Sequence, residues 1–368
     1  MTQVSSRTPF QTLNLPKTPV ILAPLAGVSD HPFRRTCVSR GADLTYVEMI
    51  SATALIYNSK RTMDMLERHR DEGVLGVQVT GKTAEEVGKA VKILSELSFE
   101  TIDINMGCPV KKVVKTGCGS GILRDVKRVY ETVSAAREAT DCVLSAKIRL
   151  GWDHSCINGL EVADAIQRGG ADFLTVHGRT RNDDYSKPVN LDYIAQIKQS
   201  VTIPVVGNGN LFNRADAEHM LARTGVDGLM VSRGALGNPW IFREIKGEGA
   251  TVDLAEWVDV VRQHLLWQQK AYGDTKTAAI CMRKHLLWYA KGWPGVKVLR
   301  DRMNVAGTLG EALDLLQEFA SYLTQKGHSE RFEAINQGLS DRFLWDPKFE
   351  MDRKLDRGVG DDRLEERA

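Results

Sequence analysis

Residues 101–109 read TIDINMGCP, in which a short β-rich run over 101–107 ends in polar residues and a glycine and is followed by Cys108 and Pro109. The chain repeats this design, because seven other apolar runs lie on either side of it, at residues 19–27, 44–49, 73–81, 143–151, 173–179, 203–210 and 228–235. Near-continuous apolar strands separated by amphipathic helices are typical of parallel βα units. Eight such units predict an α/β protein built on a (β/α)₈ TIM barrel.

The segments between these runs have helical spacing, at residues 83–97, 124–139, 159–168, 192–199 and 214–223. A doubly wound open sheet is the alternative architecture for such alternation. The barrel is favoured because no GxGxxG pattern follows the first run and because the repeats continue without interruption.

The last third of the chain has a different character. The β-rich runs stop near residue 248, and helical spacing covers residues 254–272, 277–291 and 310–325. Six of the seven tryptophans lie beyond residue 239, which marks the same boundary. We therefore expect a barrel domain over residues 1–248, a smaller C-terminal helical domain over 249–335, and a charged, partly disordered tail over 336–368.

The 368 residues are 42% hydrophobic and 26% charged, as in an ordinary globular protein. The 49 basic and 47 acidic side chains give 49 − 47 = +2, which excludes a globally basic coat protein and an acidic solvating chain. No apolar run reaches the ~18 residues that span a bilayer, and the N-terminus lacks a signal-peptide core. Six scattered cysteines without a CxxC pair argue against disulfides and a zinc site. We expect a cytoplasmic monomer with no bound metal and no membrane contact.

Polar side chains and glycines follow the last two runs of the barrel pattern. Asn208, Gly209 and Asn210 end the seventh run, and Ser232 and Arg233 lie within the end of the eighth. The loops after strands seven and eight form the usual phosphate site of barrels, where backbone N–H groups and an arginine bind the anion. The pattern predicts a phosphate site, and ordinary turn formation is the alternative.

A glutamine and a lysine end two other runs. Lys147 suits a Schiff-base lyase as the nucleophile, or a flavoenzyme as a permanent cation beside the reduced ring. Gln78 offers both a donor and an acceptor, which suits the edge of a flavin better than aldol chemistry. A structural role explains either residue when it is taken alone.

Cys108 lies just beyond the fourth run, on a loop with a glycine and a proline, and Lys111, Lys112 and Lys115 follow it. Neighbouring cations and exposure suit a working thiol, whereas an ordinary cysteine is buried and inert. No His–Asp partner set for a hydrolase accompanies it. A proton donor is therefore a better role for Cys108 than a nucleophile.

Two groups of basic residues indicate a polyanionic ligand. His177 at the end of the sixth run is followed by Arg179 and Arg181. Residues 262–302 carry nine basic and two acidic side chains, 9 − 2 = +7, with five aromatic residues between them. This combination is the footprint of nucleic-acid binding, and the alternative is a solvated cationic helix face over an aromatic core.

Seven strings in the chain resemble the tRNA-dihydrouridine synthase family in order and spacing, over roughly residues 15–330. They are APLAGVSDHPFR (23–34), QVTG (78–81), DINMGCP (103–109), KIR (147–149), HGRTR (177–181), NGN (208–210) and PWIF (239–242). The DINMGCP and HGRTR strings are the most specific. RKH at 283–285 with WY at 288–289 resembles the bacterial B-type branch.

The resemblance implies an FMN-dependent enzyme that reduces the C5–C6 double bond of a tRNA uridine with NADPH or NADH. Hydride would pass from flavin N5 to C6, and Cys108 would protonate C5. The residues implied to hold FMN are Ala23, Pro24, Leu25, Ala26, Gln78, Lys147, His177, Asn208, Gly209, Asn210, Ser232 and Arg233. The residues expected to contact tRNA are Asn105, Lys111, Arg179, Arg181, Arg283, Lys284, Lys291 and Arg300.

Three positions depart from the family pattern. Leu25 stands where the family usually has Met, Asn210 replaces a usual Asp, and Ser232 replaces a usual Gly. All three fall among the residues implied to hold the flavin, so FMN binding is expected to persist with altered affinity. Two other functions remain as alternatives: an FMN enzyme that acts on a free pyrimidine, and an RNA-binding protein on a barrel that has lost its activity.

Overall fold

The computed structural model describes residues 7–249 and 251–328. Within them, eight parallel strands form one sheet, and two short antiparallel strands form a hairpin. The strands are β1 (Val20–Leu22), β2 (Thr45–Ser51), β3 (Leu75–Thr80), β4 (Thr101–Met106), β5 (Val143–Arg149), β6 (Gly151–Asp153), β7 (Cys156–Ile157), β8 (Phe173–His177), β9 (Val205–Asn208) and β10 (Gly228–Val231).

The eight-stranded sheet closes on itself. Its order is β1-β10-β9-β8-β5-β4-β3-β2, so strands that follow one another along the chain, apart from the β6–β7 hairpin, are neighbours in the sheet. A parallel bridge between Ile21 and Leu44 joins the two ends, and the Leu22 N–H donates to the Leu44 carbonyl at 2.9 Å. The predicted TIM barrel is confirmed, and each of the eight predicted runs overlaps one of its strands, although β2 extends two residues beyond its run.

Helices surround the barrel and continue beyond it. They are α1 (Pro9–Thr12), α2 (His31–Val38), α3 (Ala52–Ile56), α4 (Lys60–Met65), α5 (Ala84–Ser95), α6 (Lys111–Lys115), α7 (Val126–Glu138), α8 (Gly159–Arg168), α9 (Leu191–Ser200), α10 (Arg214–Thr224), α11 (Ile241–Ile245), α12 (Leu254–Tyr272), α13 (Lys276–Ala290), α14 (Val296–Met303) and α15 (Leu309–Gln325). Two 3₁₀ helices lie at Gly119–Arg124 and Arg233–Ala235.

Local sequence sets where these helices begin. Thr83 caps α5 by accepting a hydrogen bond from the Glu86 N–H, and two glutamates in the first turn favour the positive end of the helix dipole. The periodic pattern predicts the bounds of α8 and α12 as the structure has them. It does not predict α6, α14 or the β6–β7 hairpin, because these elements are too short to show a period.

Side chains on each strand alternate between the barrel interior and the layer that faces the helices. In β1, Ile21 belongs to the interior cluster, whereas Val20 and Leu22 belong to the outer one. Near the N-terminal ends of the strands the interior is apolar, with Tyr46, Val143, Phe173, Val206 and Met230. The short helix α1 packs on this cluster, and the Phe10 ring meets the Phe173 ring edge-on at 5.5 Å.

The helices after residue 253 pack around a separate apolar cluster that includes Trp257 and Trp293. Trp240 from the barrel side joins this cluster, and its ring N–H donates to Glu256 at 2.9 Å. Arg243 forms a salt bridge with the same carboxylate at 2.6 Å. The predicted boundary at residue 248 lies between α11 and α12 and stays a prediction, and the predicted tail at 336–368 lies outside the described residues.

The six cysteines form no disulfide. Cys37 is buried, and burial raises the pKa of its thiol, which is the property of an inert core cysteine. Within the described part of the chain, no helix has both the length and the apolar character that crossing a membrane requires.

Candidate active site

The barrel interior changes from apolar to polar toward the C-terminal ends of the strands. The pairing register places Gln78 beside Asp103, Asn105 beside Lys147, and His177 beside Asn208. Side chains two residues apart on a strand share a face. Each of these polar residues therefore continues the row of interior side chains toward the C-terminal end of its strand. The polar residues therefore come from five neighbouring strands and meet at the mouth of the barrel.

A chain of hydrogen bonds crosses three of these strands and ends at Cys108. The Ser145 hydroxyl donates to Asp103 at 2.6 Å, and the Gln78 amide donates to the other Asp103 oxygen at 2.7 Å. The Asn105 amide donates to the Gln78 side-chain oxygen at 2.8 Å and accepts from the Cys108 N–H at 3.0 Å. The predicted cofactor residue Gln78 and the predicted substrate residue Asn105 are thus parts of one network.

The turn that carries Cys108 is fixed from both sides. The N–H and hydroxyl of Ser120 both donate to the Cys108 carbonyl, at 3.1 and 2.9 Å. Gly119 lies so close that a Cβ atom there would be 2.9 Å from the same carbonyl oxygen, and its φ of +56° also favours glycine. The Cys108 side chain is half-buried, so the turn holds the thiol at the edge of the mouth rather than in the core.

Two cations, Lys147 and Arg149, interact electrostatically with Cys108. Lys111, which the sequence placed in this role, lies on α6 and is exposed, and so is Lys112. Lys147 donates to the Asn208 side-chain oxygen at 2.8 Å. Burial, and then repulsion from Arg149, lowers the pKa of Lys147 to about 7, which works against the permanent charge expected of this lysine. A bound anion would raise that pKa.

Strands β9 and β10 and their loops form the predicted phosphate region. The Asn208 amide donates to the Met230 carbonyl at 2.6 Å and to the Ser232 hydroxyl at 3.0 Å, so the unusual Ser232 side chain is part of the network. Gly209 and Asn210 follow with φ of +127° and +50°, a turn that glycine and asparagine tolerate.

Two guanidinium groups meet at the side-chain oxygen of Asn210, from Arg179 at 3.0 Å and from Arg233 at 3.2 Å. Burial and the neighbouring arginines lower the pKa of Arg179 to about 10 and that of the buried His177 well below its usual value, so His177 is a neutral imidazole. An amide carries no charge to neutralise the arginines. Asn210 in place of the usual Asp therefore leaves this corner more positive, which fits a phosphate.

The loop between β1 and α2 closes another side of the mouth. The Leu25 N–H donates to the Ser29 hydroxyl at 2.8 Å, and Arg34 donates to the Ser29 carbonyl at 2.7 Å. Leu25 packs against the apolar interior cluster, so it keeps the apolar character of the usual Met. Ala23 is buried, Pro24 is half-buried and Ala26 is exposed at the tip of the loop.

The residues expected to contact tRNA do not form one group. Asn105 lies inside the mouth, Lys111 and Arg181 lie on its rim, and Arg283, Lys284, Lys291 and Arg300 belong to the helical part of the chain. Several of them use their cations within the protein. Arg179 is buried and donates to the Lys187 carbonyl at 2.9 Å and to Asn210, so it belongs to the phosphate corner rather than to an exposed surface. Arg283 donates to the Ala306 carbonyl at 2.6 Å, and Lys284 donates to the Gly27 carbonyl. Arg300 is exposed on α14.

Three residues that shape the site are not among those predicted from the sequence. Asp103 is the acceptor at the centre of the network, Arg149 ties the Gly107 carbonyl to that of Thr180 at 3.0 and 2.7 Å, and Tyr185 lies 4.1 Å from the Arg233 guanidinium. The two-residue alternation in DINMGCP and KIR places Asp103 and Arg149 on the interior face, so that signal was available. Tyr185 lies in a loop and gave none.

The residues at the mouth fit a flavin mononucleotide. Arg179 and Arg233 with the Gly209–Asn210 turn would hold its phosphate, and the Gln78, Lys147 and Asn208 side chains are donors and acceptors for a polar ring edge.

A different group offers metal-ligand atoms: Asp30, His264 and His285, which lie within 4.8 Å of one another. The Lys284 ammonium acts electrostatically on all three, which opposes a bound cation there, and we assign no metal to them.

Comparison of the sequence with known proteins finds relatives among dihydrouridine synthases. The sequence model described as "Dihydrouridine synthase (Dus)" matches residues 21–324. The tRNA-dihydrouridine synthase B of Pseudomonas syringae pv. tomato is 40% identical over 296 residues, which is 77% of this chain and 86% of that protein. The probable tRNA-dihydrouridine synthase of Rickettsia conorii is 34% identical over 312 residues, 83% of this chain and 93% of that protein.

Solved structures with similar coordinates support the fold. The 6-hydroxypseudooxynicotine amine oxidase from Pseudomonas geniculata superposes with a TM-score of 0.51 at 12% identity, over 65% of this chain and 50% of that one. A 2-naphthoyl-CoA reductase superposes with a TM-score of 0.50 at 9% identity, over 62% of this chain and 50% of that one. The fold, the arrangement of the mouth and the match over residues 21–324 lead to one conclusion: the chain belongs to the dihydrouridine synthase family.

Proposed function

We propose that this protein is a tRNA-dihydrouridine synthase that reduces the C5–C6 double bond of a uridine in tRNA, with FMN as cofactor and NADPH or NADH as reductant. Family membership and the names of the similar proteins support the reaction and the substrate class. One observation carries the proposal. The half-buried Cys108 thiol and the Arg179–Arg233 corner, which fits a phosphate, both lie at the mouth of the barrel.

A bound flavin supplies the hydride that saturates the uracil ring at C6. The chain positions that cofactor: Arg179 and Arg233 bind the phosphate, and Lys147 and Gln78 lie at the strand ends where the ring would be held. A bound anion would raise the lowered pKa of Lys147 and so favour the charged form of the lysine in the loaded site.

Cys108 gives the proton. Hydride addition at C6 leaves an electron pair at C5, and the thiol proton forms the new C5–H bond while the sulfur keeps the S–H pair as a thiolate. Lys147 and Arg149 stabilise that thiolate electrostatically. Asn105 and Ser120 hold the turn, so the thiol stays at one place during the transfer.

The nucleotide must leave its stack to reach this mouth, at a cost of a few kcal/mol. We propose that the basic segment at residues 262–302 and the rim residues Lys111 and Arg181 bind the tRNA backbone and offset that cost.

The direct test uses tRNA from cells that lack this gene. Purified protein with NADPH should restore dihydrouridine at a defined position, and denaturation should release FMN in about equal molar amount. Turnover of free uracil or dihydroorotate instead of tRNA would contradict the proposal and favour a free-pyrimidine enzyme. Colourless protein that binds tRNA without reducing it would favour a non-catalytic RNA-binding role.

A further inference from the structure

Helix α13 touches two loops at the barrel mouth, the β1–α2 loop, whose residues 23–26 are implied by the family resemblance to hold FMN, and the loop after β10. In its middle, the Lys284 ammonium donates a hydrogen bond to the Gly27 carbonyl of the β1–α2 loop. Near its end, the Trp288 carbonyl packs so closely on the loop after β10 that a Cβ atom on Gly237 would lie 2.3 Å from it. Only glycine permits that approach, and the φ of +67° at Gly237 also favours glycine.

The N–H and the carbonyl of Gly27 are both hydrogen-bonded to side chains from other elements. Its N–H donates to the Glu48 carboxylate in the middle of β2, while its carbonyl accepts from Lys284. Gly27 lies at the exposed tip of the loop with φ of +71°, and Ala26 precedes it. The two contacts therefore clamp the loop tip between a barrel strand and the helical layer.

The position of Lys284 on its helix is set by packing. The next residue, His285, is buried, with its ring 5.0 Å from the Phe33 ring of α2. Glu48 and Asp30 both face the same loop, and Lys284 acts electrostatically on Asp30. The Gly27 carbonyl and the nearby Asp30 therefore account for the Lys284 charge without an RNA phosphate.

We propose that Lys284 is a positioning residue for the cofactor, which fixes the β1–α2 loop through the Gly27 carbonyl, rather than one of the RNA contacts of the basic segment. The inference rests on the proposed function, because it takes this loop as part of the flavin site. It makes α13 the element through which the helical part of the chain sets the geometry of the barrel mouth.

The test compares four full-length variants: K284M, K284R, E48Q and the matched control K297M. Lys297 lies in the same basic segment and is exposed on α14. Two quantities are measured: the FMN dissociation constant from flavin fluorescence, and the slope of log K against log salt for tRNA binding.

We expect K284M to raise the FMN dissociation constant about tenfold, which corresponds to ~1.4 kcal/mol, and to leave the salt slope for tRNA unchanged. K284R keeps a donor and should restore most of the affinity. E48Q replaces the carboxylate that accepts the Gly27 N–H with a neutral amide, which is a weaker acceptor, so it loosens the clamp from the barrel side and should also weaken FMN binding. The result therefore does not depend on K284M alone. K297M should lower the salt slope and leave FMN binding unchanged.

The inference is overturned if K284M and E48Q bind FMN like the wild type, or if K284M lowers the salt slope as K297M does. Failure of the proposed function gives a different result: the wild-type protein then neither binds FMN nor reduces tRNA, and the inference fails with it.

Discussion

Asn105 determines how the sulfur of Cys108 meets the barrel mouth. Its side-chain oxygen accepts from the N–H groups of Gly107 and Cys108, at 3.2 and 3.0 Å, so one amide fixes two consecutive peptide units. The same amide is tied through Gln78 to the buried Asp103. The position of one reactive side chain thus depends on a network that reaches into the barrel core.

Replacing Cys108 with Ala should separate the two half-reactions. We expect dihydrouridine formation to fall by about 10²–10⁴-fold, the usual contribution of a positioned proton donor, while NADPH reduces the bound flavin at the wild-type rate. Stopped-flow flavin bleaching and single-turnover dihydrouridine assays measure the two steps.

The matched control is C118A, since Cys118 is a half-buried cysteine on the same connection between β4 and α7. It should support both steps. If C108A slowed flavin reduction and dihydrouridine formation equally, the assignment of Cys108 as proton donor would be wrong.

At the scale of the element, each strand has one interior face, and small residues on that face make room for large ones. Gly76 in β3 is the clearest case. A Cβ atom there would lie 2.4 Å from the buried Tyr46 ring and 2.7 Å from the Thr101 methyl group. Gly76 therefore lets the Tyr46 ring occupy the interior beneath the polar residues of the site.

Replacing Gly76 with Ala should destabilise the protein by about 1–3 kcal/mol, because an extra methyl group forces a packed core to rearrange. Guanidinium unfolding followed by circular dichroism measures the change. The control is G310A in α15, where the nearest heavy atom is 3.6 Å from the added Cβ, and it should change stability by less than about 1 kcal/mol. Equal effects of the two substitutions would contradict this account of the barrel interior.

At the scale of the whole molecule, a nearly neutral chain concentrates positive charge in two regions. One is the corner formed by Lys147, Arg179 and Arg233, which suits a small anion. The other is the basic segment of the helical part, in which Arg283 and Lys284 already bind carbonyl groups of the protein. Its exposed basic residues, such as Lys297 and Arg300 on α14, are the better candidates for RNA phosphates.

Removing two charges from that segment, as K291M/R300M, should weaken tRNA binding and lower the salt slope by about 1–2, since each phosphate contact contributes ~0.7–0.9. Filter binding at salt concentrations from about 50 to about 200 mM measures the slope. The control K92M/K127M removes the same charge from the barrel helices α5 and α7 and should leave the slope unchanged. Equal slopes for all three proteins would show that the segment is only a solvated cationic face.

Buried histidines should make the fold sensitive to acid. Burial lowers the pKa of His31 and His264 to about 3 and holds those of His177 and His285 well below the usual value. The unfolded chain binds protons at these histidines below about pH 6.5, and the folded chain does not, so their contribution to stability is lost as the pH falls from about 6.5 toward 3.

Two buried carboxyls act in the opposite sense. Burial raises the pKa of Asp30 and Asp103 to about 6, so the folded chain binds their protons more tightly between about pH 4 and 6. Four histidines outweigh two aspartates, and we expect the free energy of unfolding to fall between pH 7 and 5. Urea unfolding at the two pH values measures it, and a shallower dependence in H31N is the confirming result. A free energy that rises toward pH 5 would contradict the assignment of neutral buried histidines.

The sequence by itself determined the barrel, the positions of its eight strands, the change to helices after residue 248 and the residues that end each strand. These features are local: apolar runs and helical periods depend on neighbours a few residues away. The strings around Cys108, Lys147 and Asn208 also gave the family, which the match over residues 21–324 confirms.

Only the tertiary structure decided which of these residues meet and what each one does. Asp103 became the centre of a network through the register of β3, β4 and β5, and Lys284 became a partner of Gly27 through a contact across 257 positions of the chain. The lowered pKa of Lys147 follows from burial, which no local sequence pattern shows. Register, burial and contacts between distant segments are set by closure of the whole barrel and by packing of α13 upon it, and these long-range terms have no signature in a run of ten residues.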